Sequence, residues 1–278
     1  MIRPHRLAPA LAATSLLLLP ACGAPASPGS GSHEPSPSTT AEQKAPHARH
    51  AAKKRALAPV WKHGGRAEKV VALTFDADMT ADQGERAAGG ERFDNPQLIA
   101  SLKRLKVPST VFMTGAWASQ YPDQARAIGR NDLFEVANHS YSHYAFTSSK
   151  CFGLPSLDRG KMRGDVERAR QAFERAGVRN TVPYFRFPGG CYDPSALRAL
   201  APLGITAVQW DTESGDAFAS DADAVAEQVL GGVRPGSVVV MHCTRSAAPV
   251  TEEAVRKIVP KLRAEGYRFV KVSDLMAG

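Results

Sequence analysis

Side chains that can bind a metal ion or transfer a proton follow five short apolar runs of this sequence. They are Asp76, Asp78, His139, His143, Arg186, Asp216 and His242. Carboxylates and imidazoles bind divalent ions and exchange protons near neutral pH, and an arginine beside a carboxylate keeps it ionised. A single acidic residue after one run means little. Five such runs predict a common catalytic site, provided that the fold brings their ends together.

His139 and His143 are four residues apart, which places two imidazoles on one face if a helical turn begins there. Two neutral histidines and one carboxylate leave coordination positions of an ion open for water and substrate. The nearest acids in the pattern, Asp76 and Asp78, share one face of a strand because they are two residues apart. The alternative is a pair of surface histidines that cap a turn. We expect a divalent metal site, with Zn²⁺ as the default ion for hydrolysis and Co²⁺, Ni²⁺ or iron as substitutes.

Short, almost continuously apolar runs alternate with amphipathic segments from about residue 67 to the end of the chain. The runs, which suit strands buried on both faces of a parallel sheet, are residues 70–75, 109–114, 134–137, 184–187, 205–210, 238–241 and 268–272. Helical periodicity covers residues 95–105, 161–176, 193–200, 221–230 and 251–264. This alternation predicts an α/β fold, a distorted and incomplete (β/α)7 barrel. Active sites of such barrels lie at the C-terminal ends of the strands.

The order of the polar strand ends resembles that of the NodB-homology polysaccharide deacetylases, carbohydrate esterase family four. The segments that carry the resemblance, within residues 68–275, are Thr74-Phe75-Asp76-Ala77-Asp78, Asn138-His139-Ser140-Tyr141-Ser142-His143, Arg186-Phe187-Pro188-Gly189-Gly190, Asp211-Thr212-Glu213-Ser214-Gly215-Asp216 and Met241-His242-Cys243. The resemblance implies the role of each polar residue.

In that family pattern, Asp76 is the general base, and Arg186 keeps it ionised and oriented. His139 and His143 are metal ligands. The general acid is His242, and Asp216 pairs with it. These roles are expectations carried over from the resemblance, position by position.

The first motif departs from the usual Asp-Asp-Gly of the family. Ala77 stands where the second, metal-binding acid is expected, and Asp78 follows it. Because positions i and i+2 of a strand face the same side, both Asp76 and Asp78 can point into the site. We therefore assign Asp78 as the third metal ligand.

Other positions bear on substrate binding. Gly189 stands where many relatives have Tyr, and its backbone N–H can still stabilise an oxyanion. Ala217 replaces a usual Trp of the fourth motif, so Phe218 or Trp210 would form the apolar wall. Tyr192 and Trp210 are candidates for stacking against a sugar, although both could equally be core residues.

The first 66 residues differ in composition from the rest. Residues 1–21 combine a basic start, a leucine-rich stretch and small residues before Cys22, which is typical of a bacterial lipoprotein signal. We expect cleavage before Cys22 and lipidation of its sulfur; ordinary cleavage near Ala24 without a lipid is the alternative. Residues 22–66, rich in Pro, Ser, Gly and Ala, predict a disordered tether, and residues 67–278 form the predicted catalytic domain. The protein is expected at the outer face of the cell membrane, or secreted if it is not lipidated.

The net charge of +8 is concentrated in the leading segment. Residues 1–66 hold nine Lys and Arg against Glu34 and Glu42, whereas the remaining chain holds 26 basic and 25 acidic residues. A nucleic-acid-binding protein would carry its basic excess on the folded domain. The distribution argues against a nucleic-acid partner and favours contact of the leading segment with anionic lipid or wall polymer.

Three cysteines remain besides Cys22: Cys151, Cys191 and Cys243. An exported protein can oxidise one pair and leave the third free. Cys191 and Cys243 each follow a predicted strand beside a motif, so a Cys191–Cys243 bridge is the first hypothesis.

Together these features predict a monomeric, metal-dependent hydrolase that removes acetyl groups from an N-acetylated polysaccharide, with peptidoglycan as the first candidate substrate. Chitooligosaccharides and acetyl-xylan are alternatives, because the same chemistry cleaves them. A second alternative is a wall-binding lipoprotein without activity, because the first motif is altered. Two histidines and one carboxylate also describe iron oxygenases, but those sites usually lie on antiparallel barrels rather than on alternating strands and helices.

Overall fold

The computed structural model describes residues 56–278, which form a curled, parallel β-sheet with helices packed against it. Its nine strands are β1 Val60–Trp61, β2 Val70–Ala77, β3 Ser109–Met113, β4 Phe134–Asn138, β5 Thr181–Phe185, β6 Thr206–Val208, β7 Thr212–Glu213, β8 Ser237–His242 and β9 Arg268–Phe269. The strand order is β1-β6-β5-β4-β3-β2-β8-β7, and β9 pairs with β2. The edges β1 and β7 leave the barrel open, which confirms the predicted incomplete α/β barrel.

The helices of the described part follow strands β2, β3, β4, β5, β7, β8 and β9. They are α1 Gly84–Ala88, α2 Pro96–Arg104, α3 Gly115–Gln120, α4 Pro122–Ile128, α5 Arg159–Ala176, α6 Pro194–Leu200, α7 Ala222–Gly232, α8 Thr251–Ala264 and α9 Val272–Ala277. The five predicted helices coincide with α2, α5, α6, α7 and α8. Asn95, Asp193 and Asp221 cap three of them by accepting hydrogen bonds from first-turn N–H groups. No helix within residues 56–278 is both long and apolar enough to cross a membrane.

Strand β2 is central to the sheet and positions the first motif. Seven of its eight residues are buried, since β3 and β8 flank it and core side chains cover both faces. The parallel register places Asp76 opposite Phe112 of β3 and opposite His242 of β8. The two residues expected to act as base and acid therefore emerge from adjacent strands at the same edge.

All seven predicted strands are present, and two short ones, β1 and β7, were not predicted. Each of these has only two residues, too few to show a hydrophobic period. Strand β5 begins at Thr181 rather than at residue 184, because Thr181 and Pro183 are exposed and interrupt the apolar pattern.

The folded domain begins before residue 67, so the predicted end of the tether is wrong. Val60 and Trp61 pair with β6, the Ala58 N–H donates to the Leu197 carbonyl at 3.0 Å, and Arg66 forms an ion pair with Asp211 at 2.7 Å. A few apolar residues in a polar segment do not reveal a strand until their partner is known. The predicted signal, Cys22 and the tether up to residue 55 lie outside the described residues.

The disulfide joins Cys151 to Cys191, and the predicted Cys191–Cys243 bridge is wrong. Cys243 follows His242, and successive residues of a strand point to opposite faces. His242 faces the pocket described below, whereas Cys243 is fully buried in the main core. Burial raises the pKa of the Cys243 thiol to about 12, which makes it an unreactive core residue.

Candidate active site at the C-terminal edge of the sheet

A pocket of about 260 Å³ opens at the C-terminal ends of the strands. Most of the predicted site residues line it together: Asp76, Asp78, His139, His143, Gly189, Trp210, Asp216 and His242. Arg186 is fully buried and reaches the pocket through Asp76. The structure therefore gathers residues that are separated by up to 166 positions in the sequence.

Asp76 and Arg186 form a buried ion pair. Arg186 Nη1 donates to Asp76 Oδ1 at 2.6 Å, and Arg186 Nε donates to the Val208 carbonyl at 3.3 Å. The guanidinium also lies over the ring of Phe112, with its carbon 3.9 Å from the ring centroid. These contacts hold the arginine in one orientation, with its charge directed at a single carboxylate oxygen.

The pair keeps Asp76 ionised. Burial alone raises the pKa of a carboxyl group, but the charge of Arg186, with smaller contributions from His139 and His242, outweighs it and leaves the pKa of Asp76 below its ordinary value. Burial acts in the opposite direction on the guanidinium and lowers the pKa of Arg186. A carboxylate held in this way is available to accept a proton at neutral pH.

His139 and His143 approach each other, but a helical turn does not bring them together. The segment between them is irregular, with left-handed φ values of 69° at Ser140 and 57° at His143. Asn138 Oδ1 accepts from the Ser140 N–H at 2.8 Å, and Ser140 Oγ accepts from the His143 N–H at 3.0 Å. The ring centroids end 4.9 Å apart. Non-glycine residues with such φ values often occur at functional sites, where the surrounding structure holds them.

The ring nitrogens of the two histidines are placed for metal binding. His139 Nδ1 lies 2.9 Å from the Arg186 carbonyl, which can only accept, so Nδ1 carries a proton and Nε2 is the nitrogen left to bind an ion. Burial lowers the pKa of His143 to about 4, although the charge of Asp78 opposes the shift. His143 is therefore neutral at pH 7, the form in which imidazole binds a metal.

The spacing of the donor atoms also fits a divalent ion. His143 Nε2 lies 3.5 Å from Asp78 Oδ2, and His139 Nε2 lies 3.5 Å from Asp76 Oδ2. Two ligands of one tetrahedral Zn²⁺, each about 2.0–2.2 Å from it, are roughly 3.3–3.6 Å apart. Within residues 56–278 no group of three or more His, Cys, Asp and Glu side chains is positioned to hold a metal ion. The fit therefore rests on donor chemistry and on the His143–Asp78 pair, because Asp76 is assigned as the base and not as a ligand.

Asp78 forms hydrogen bonds with one uncharged residue, Thr244. The Thr244 hydroxyl forms a hydrogen bond with Asp78 Oδ1, and Thr244 Oγ1 accepts from the Asp78 N–H at 3.3 Å. Thr244 was not predicted as a site residue. It lies two positions beyond His242, so the rule that strand ends carry the chemistry could have found it.

His242 and Asp216 form the acidic half of the site. His242 Nδ1 donates to Asp216 Oδ1 at 2.7 Å, and the His242 N–H donates to Asp216 Oδ2 at 2.8 Å. Burial alone lowers the pKa of an imidazole, but the charge and hydrogen bond of Asp216 outweigh it and raise the pKa of His242 to about 10. Ser214 and Thr251, neither of them predicted, donate further hydrogen bonds to the Asp216 carboxylate. His242 is therefore an imidazolium at neutral pH.

Gly189 lies in the wall of the pocket with a left-handed φ of 60°. A Cβ atom there would lie 2.7 Å from Cys151 Sγ, so both the conformation and the disulfide require glycine. The Cys151–Cys191 bond ties the loop before α5 to this segment.

The two aromatic residues predicted to stack on a sugar lie in different places. Trp210 lines the pocket, and its Nε1 donates to Glu213 Oε1 at 3.2 Å. Tyr192 instead stacks on Phe187, with ring centroids 4.7 Å apart, and packs against the second core cluster. It is not among the residues that line the pocket.

Two exposed phenylalanines lie at the mouth of the pocket. Phe152 is 76% exposed and Phe218 is 84% exposed, and their ring centroids are 6.2 Å apart. Leu57 is the only other large hydrophobic residue exposed in the described part of the chain. Phe218 was considered for the apolar wall, whereas no sequence signal indicated Phe152, because its loop lies outside the motifs.

Comparison with known proteins agrees with this geometry. Residues 63–208 match the profile of the polysaccharide deacetylase family. The chain is 26% identical over 212 residues to a peptidoglycan-N-acetylglucosamine deacetylase of Bacillus cereus, covering 75% of this chain and 89% of that protein. It is 28% identical over 182 residues to a chitooligosaccharide deacetylase of Sinorhizobium fredii, covering 62% and 80%.

Among solved structures, a family 4 acetyl xylan esterase from Clostridium thermocellum, in complex with a cobalt ion, has the same fold. The TM-score is 0.59 at 22% sequence identity, over 74% of this chain and 90% of that one. The family profile spans more than half of the present chain, and the motif residues of five strand ends meet in one pocket. This chain belongs to the polysaccharide deacetylase family.

Proposed function

We propose that this protein is a metal-dependent hydrolase that removes N-acetyl groups from the sugars of a cell-wall polysaccharide, with peptidoglycan as the first substrate. One observation carries the proposal. An ionised carboxylate, Asp76, and an imidazolium, His242, line the same pocket as His139, His143 and Asp78. Hydrolysis of an acetamide needs a base, an acid and an electrophile in such an arrangement.

Asp78, His139 and His143 would hold the ion, most readily Zn²⁺, with Co²⁺ or Ni²⁺ as substitutes. When bound, such an ion polarises the acetyl carbonyl and lowers the pKa of a coordinated water. The protein residues supply the remaining steps.

Asp76 accepts the proton of the attacking water, since Arg186 keeps it deprotonated. Oxygen adds to the acetyl carbon, and charge develops on the former carbonyl oxygen. The backbone N–H of Gly189, in the pocket wall, is the protein donor that we assign to this oxygen. The C–N bond then breaks as His242 gives its proton to the departing nitrogen. The products are acetate and a free amino sugar.

The aromatic side of the pocket supports a carbohydrate substrate. Trp210, Phe152 and Phe218 line it, and aromatic faces are common in sites that bind ring-shaped ligands. Peptidoglycan is preferred over chitooligosaccharide because the leading segment of the sequence is typical of an exported lipoprotein. We propose that Cys22 is lipidated and anchors the domain at the outer face of the membrane, within reach of the wall.

The test is a side-by-side assay of acetate release from purified peptidoglycan, a chitooligosaccharide and acetyl-xylan, with Zn²⁺ or Co²⁺ and after treatment with a chelator. We expect the largest kcat/KM on peptidoglycan and loss of activity with the chelator. A preference for the chitooligosaccharide would favour the activity named for the Sinorhizobium fredii relative. No acetate from any substrate, at full metal occupancy, would favour a non-catalytic wall-binding protein. His139→Ala serves as the control, because it is expected to lose metal and activity together.

A further inference from the structure

We infer that Thr244 is a positioning residue for Asp78, the metal ligand that the altered first motif displaces by one position. This inference rests on the proposed metal-dependent function. The Asp78 carboxylate does not occupy the usual place in the family pattern, so its orientation depends on a neighbour that this chain supplies.

The sheet register explains why Thr244 meets Asp78. Strands β2 and β8 are parallel neighbours, with Asp76 opposite His242. The last ladder bond runs from the Cys243 N–H to the Asp76 carbonyl at 2.7 Å. Two residues further along both strands, Asp78 stands beside Thr244, where the regular sheet has ended. The Asp78 N–H bonds to the Thr244 side chain there, so the hydroxyl continues the pairing that the backbone no longer provides.

A hydroxyl has one proton to donate and two lone pairs to accept with. Thr244 Oγ1 accepts from the Asp78 N–H and lies against both Asp78 Oδ1 and the Asp78 carbonyl oxygen. The carboxylate is the stronger acceptor of the two, because it is charged. Binding Oδ1 at one side leaves Oδ2 directed at His143, 3.5 Å away.

Thr244 is itself held firmly. It is 2% exposed, and its carbonyl accepts from the N–H groups of Ala247 and Ala248 at 3.1 and 2.8 Å. A β-branched side chain has few rotamers, so a fixed backbone fixes the hydroxyl as well. Asp78 therefore has its carboxylate oriented before any ion arrives, and a ligand that is already oriented loses less freedom on binding.

The identity of the partner matters as much as its position. A lysine or arginine at residue 244 would neutralise Asp78 and compete with the ion. Thr244 orients the carboxylate without a charge and so leaves its negative charge available to a cation.

The test compares Thr244→Val and Thr244→Ser by Zn²⁺ affinity, measured by competition with a chromophoric chelator at neutral pH. Valine keeps the shape of threonine but has no hydroxyl, whereas serine keeps the hydroxyl. Loss of a residue that orients a metal ligand typically weakens metal affinity by about 10–100-fold, and we expect this for the valine variant. The serine variant is expected to bind close to the wild-type protein.

Thr212→Val is the matched control. Thr212 is 3% exposed, and its hydroxyl bonds to the Gly232 carbonyl rather than to a candidate ligand. We expect its Zn²⁺ affinity to equal that of the wild-type protein. A wild-type affinity in Thr244→Val would overturn the inference while leaving the proposed function intact. Equal losses in the serine and valine variants would overturn it as well, since the hydroxyl would then not be the cause. Failure of the wild-type protein itself to take up Zn²⁺ would overturn both.

Discussion

Asp76 and Asp78 lie two residues apart at the end of one strand, yet they are held in different ways. The side chain of Asp76 is 7% exposed and is ion-paired with the fully buried Arg186. Asp78 is closer to solvent, with a side chain 15% exposed, and its oriented oxygen is held by the neutral Thr244. A carboxylate beside an arginine stays ionised, but its charge is already balanced. A carboxylate beside a hydroxyl keeps its charge for a cation.

The comparison explains how two identical side chains can have separate roles. In the proposed site, the partner rather than the acid itself would make Asp76 a proton acceptor and Asp78 a metal ligand. Strand alternation returns Asp78 to the same face as Asp76, and Thr244, just beyond the end of β8, forms a hydrogen bond with it there.

The largest effect is expected when the two acids are exchanged for amides one at a time. Asp76→Asn removes the proton acceptor and is expected to lower kcat by about 10²–10⁴, with Zn²⁺ still bound. Asp78→Asn removes a charged ligand and is expected to lose the metal and, with it, the activity. Bound metal after dialysis and acetate release are measured together. Loss of metal from Asp76→Asn and its retention by Asp78→Asn would reverse the two assignments.

Removal of Arg186 probes what its charge does for Asp76. Arg186→Met leaves a buried carboxylate unpaired, and breaking a buried pair in this way destabilises a protein by about 3–5 kcal/mol. Arg256→Met, at an exposed helical pair with Glu252, is the control, and surface pairs of this kind contribute about 0.3–0.5 kcal/mol. Urea unfolding at neutral pH measures both.

The pH dependence of the same variant has a definite sign. Arg186 holds the folded-state pKa of Asp76 below its ordinary value of 3.8. The ion pair therefore stabilises the fold above that pH, and its contribution is lost as the pH falls through the folded-state pKa. The difference in unfolding free energy between Arg186→Met and the wild-type protein is expected to shrink in acid. A difference independent of pH would mean that Arg186 acts through packing alone.

Asp216→Asn is expected to have an intermediate effect, visible in the pH profile. Asp216 raises the pKa of His242 to about 10, so this proposed general acid stays protonated well into the alkaline range of the wild-type protein. Without the charge, the pKa falls, and the alkaline limb of kcat/KM moves to lower pH. Asp223→Asn, at an exposed pair with Lys257, is the control and should leave the limb in place.

The same pair has a linked effect on stability. Because the folded-state pKa of His242 lies above its ordinary value of 6.5, the stabilisation is complete below that pH and is lost as the pH rises through about 10. Asp216→Asn is therefore expected to be most destabilising near pH 6 and progressively less so in alkali, as followed by urea unfolding. An unchanged alkaline limb, with stability altered equally at all pH values, would show that Asp216 has no influence on the proton of His242.

The smallest effect is expected at Phe152 and Phe218, the exposed rim of the pocket, where no ion pair is involved. Phe152→Ala and Phe218→Ala should raise KM for a polysaccharide by about 2–13-fold, the range that corresponds to an aromatic contact of about 0.5–1.5 kcal/mol. Hydrolysis of a small acetyl ester should be unaffected. Leu57→Ala, at the other exposed large hydrophobic residue, is the control. Equal KM values in all variants would show that the substrate does not touch the rim.

Much of the fold and of the inner site could be predicted from the sequence. The apolar runs predicted which segments are buried on both faces, and the acids and histidines that follow them predicted where the strands end. These are local properties. A strand that is covered on both sides must be apolar, and the polar residue that follows it must face either solvent or a functional site. Asp76, His139, Arg186 and His242 could therefore be named in advance.

Which residues contact the predicted site residues and cysteines was decided only by the tertiary structure. Thr244 meets Asp78 only because β2 and β8 are neighbours in a particular register. The disulfide brings the loop that holds Cys151 onto Cys191, and Tyr192, a candidate for sugar stacking, packs against the ring of Phe187. Such contacts join residues that are distant in the chain, and no local period records them. The sequence by itself determined which chemical groups stand at the strand ends; the packing between strands determined which of them hold charge, which hold a proton and which are free to bind an ion.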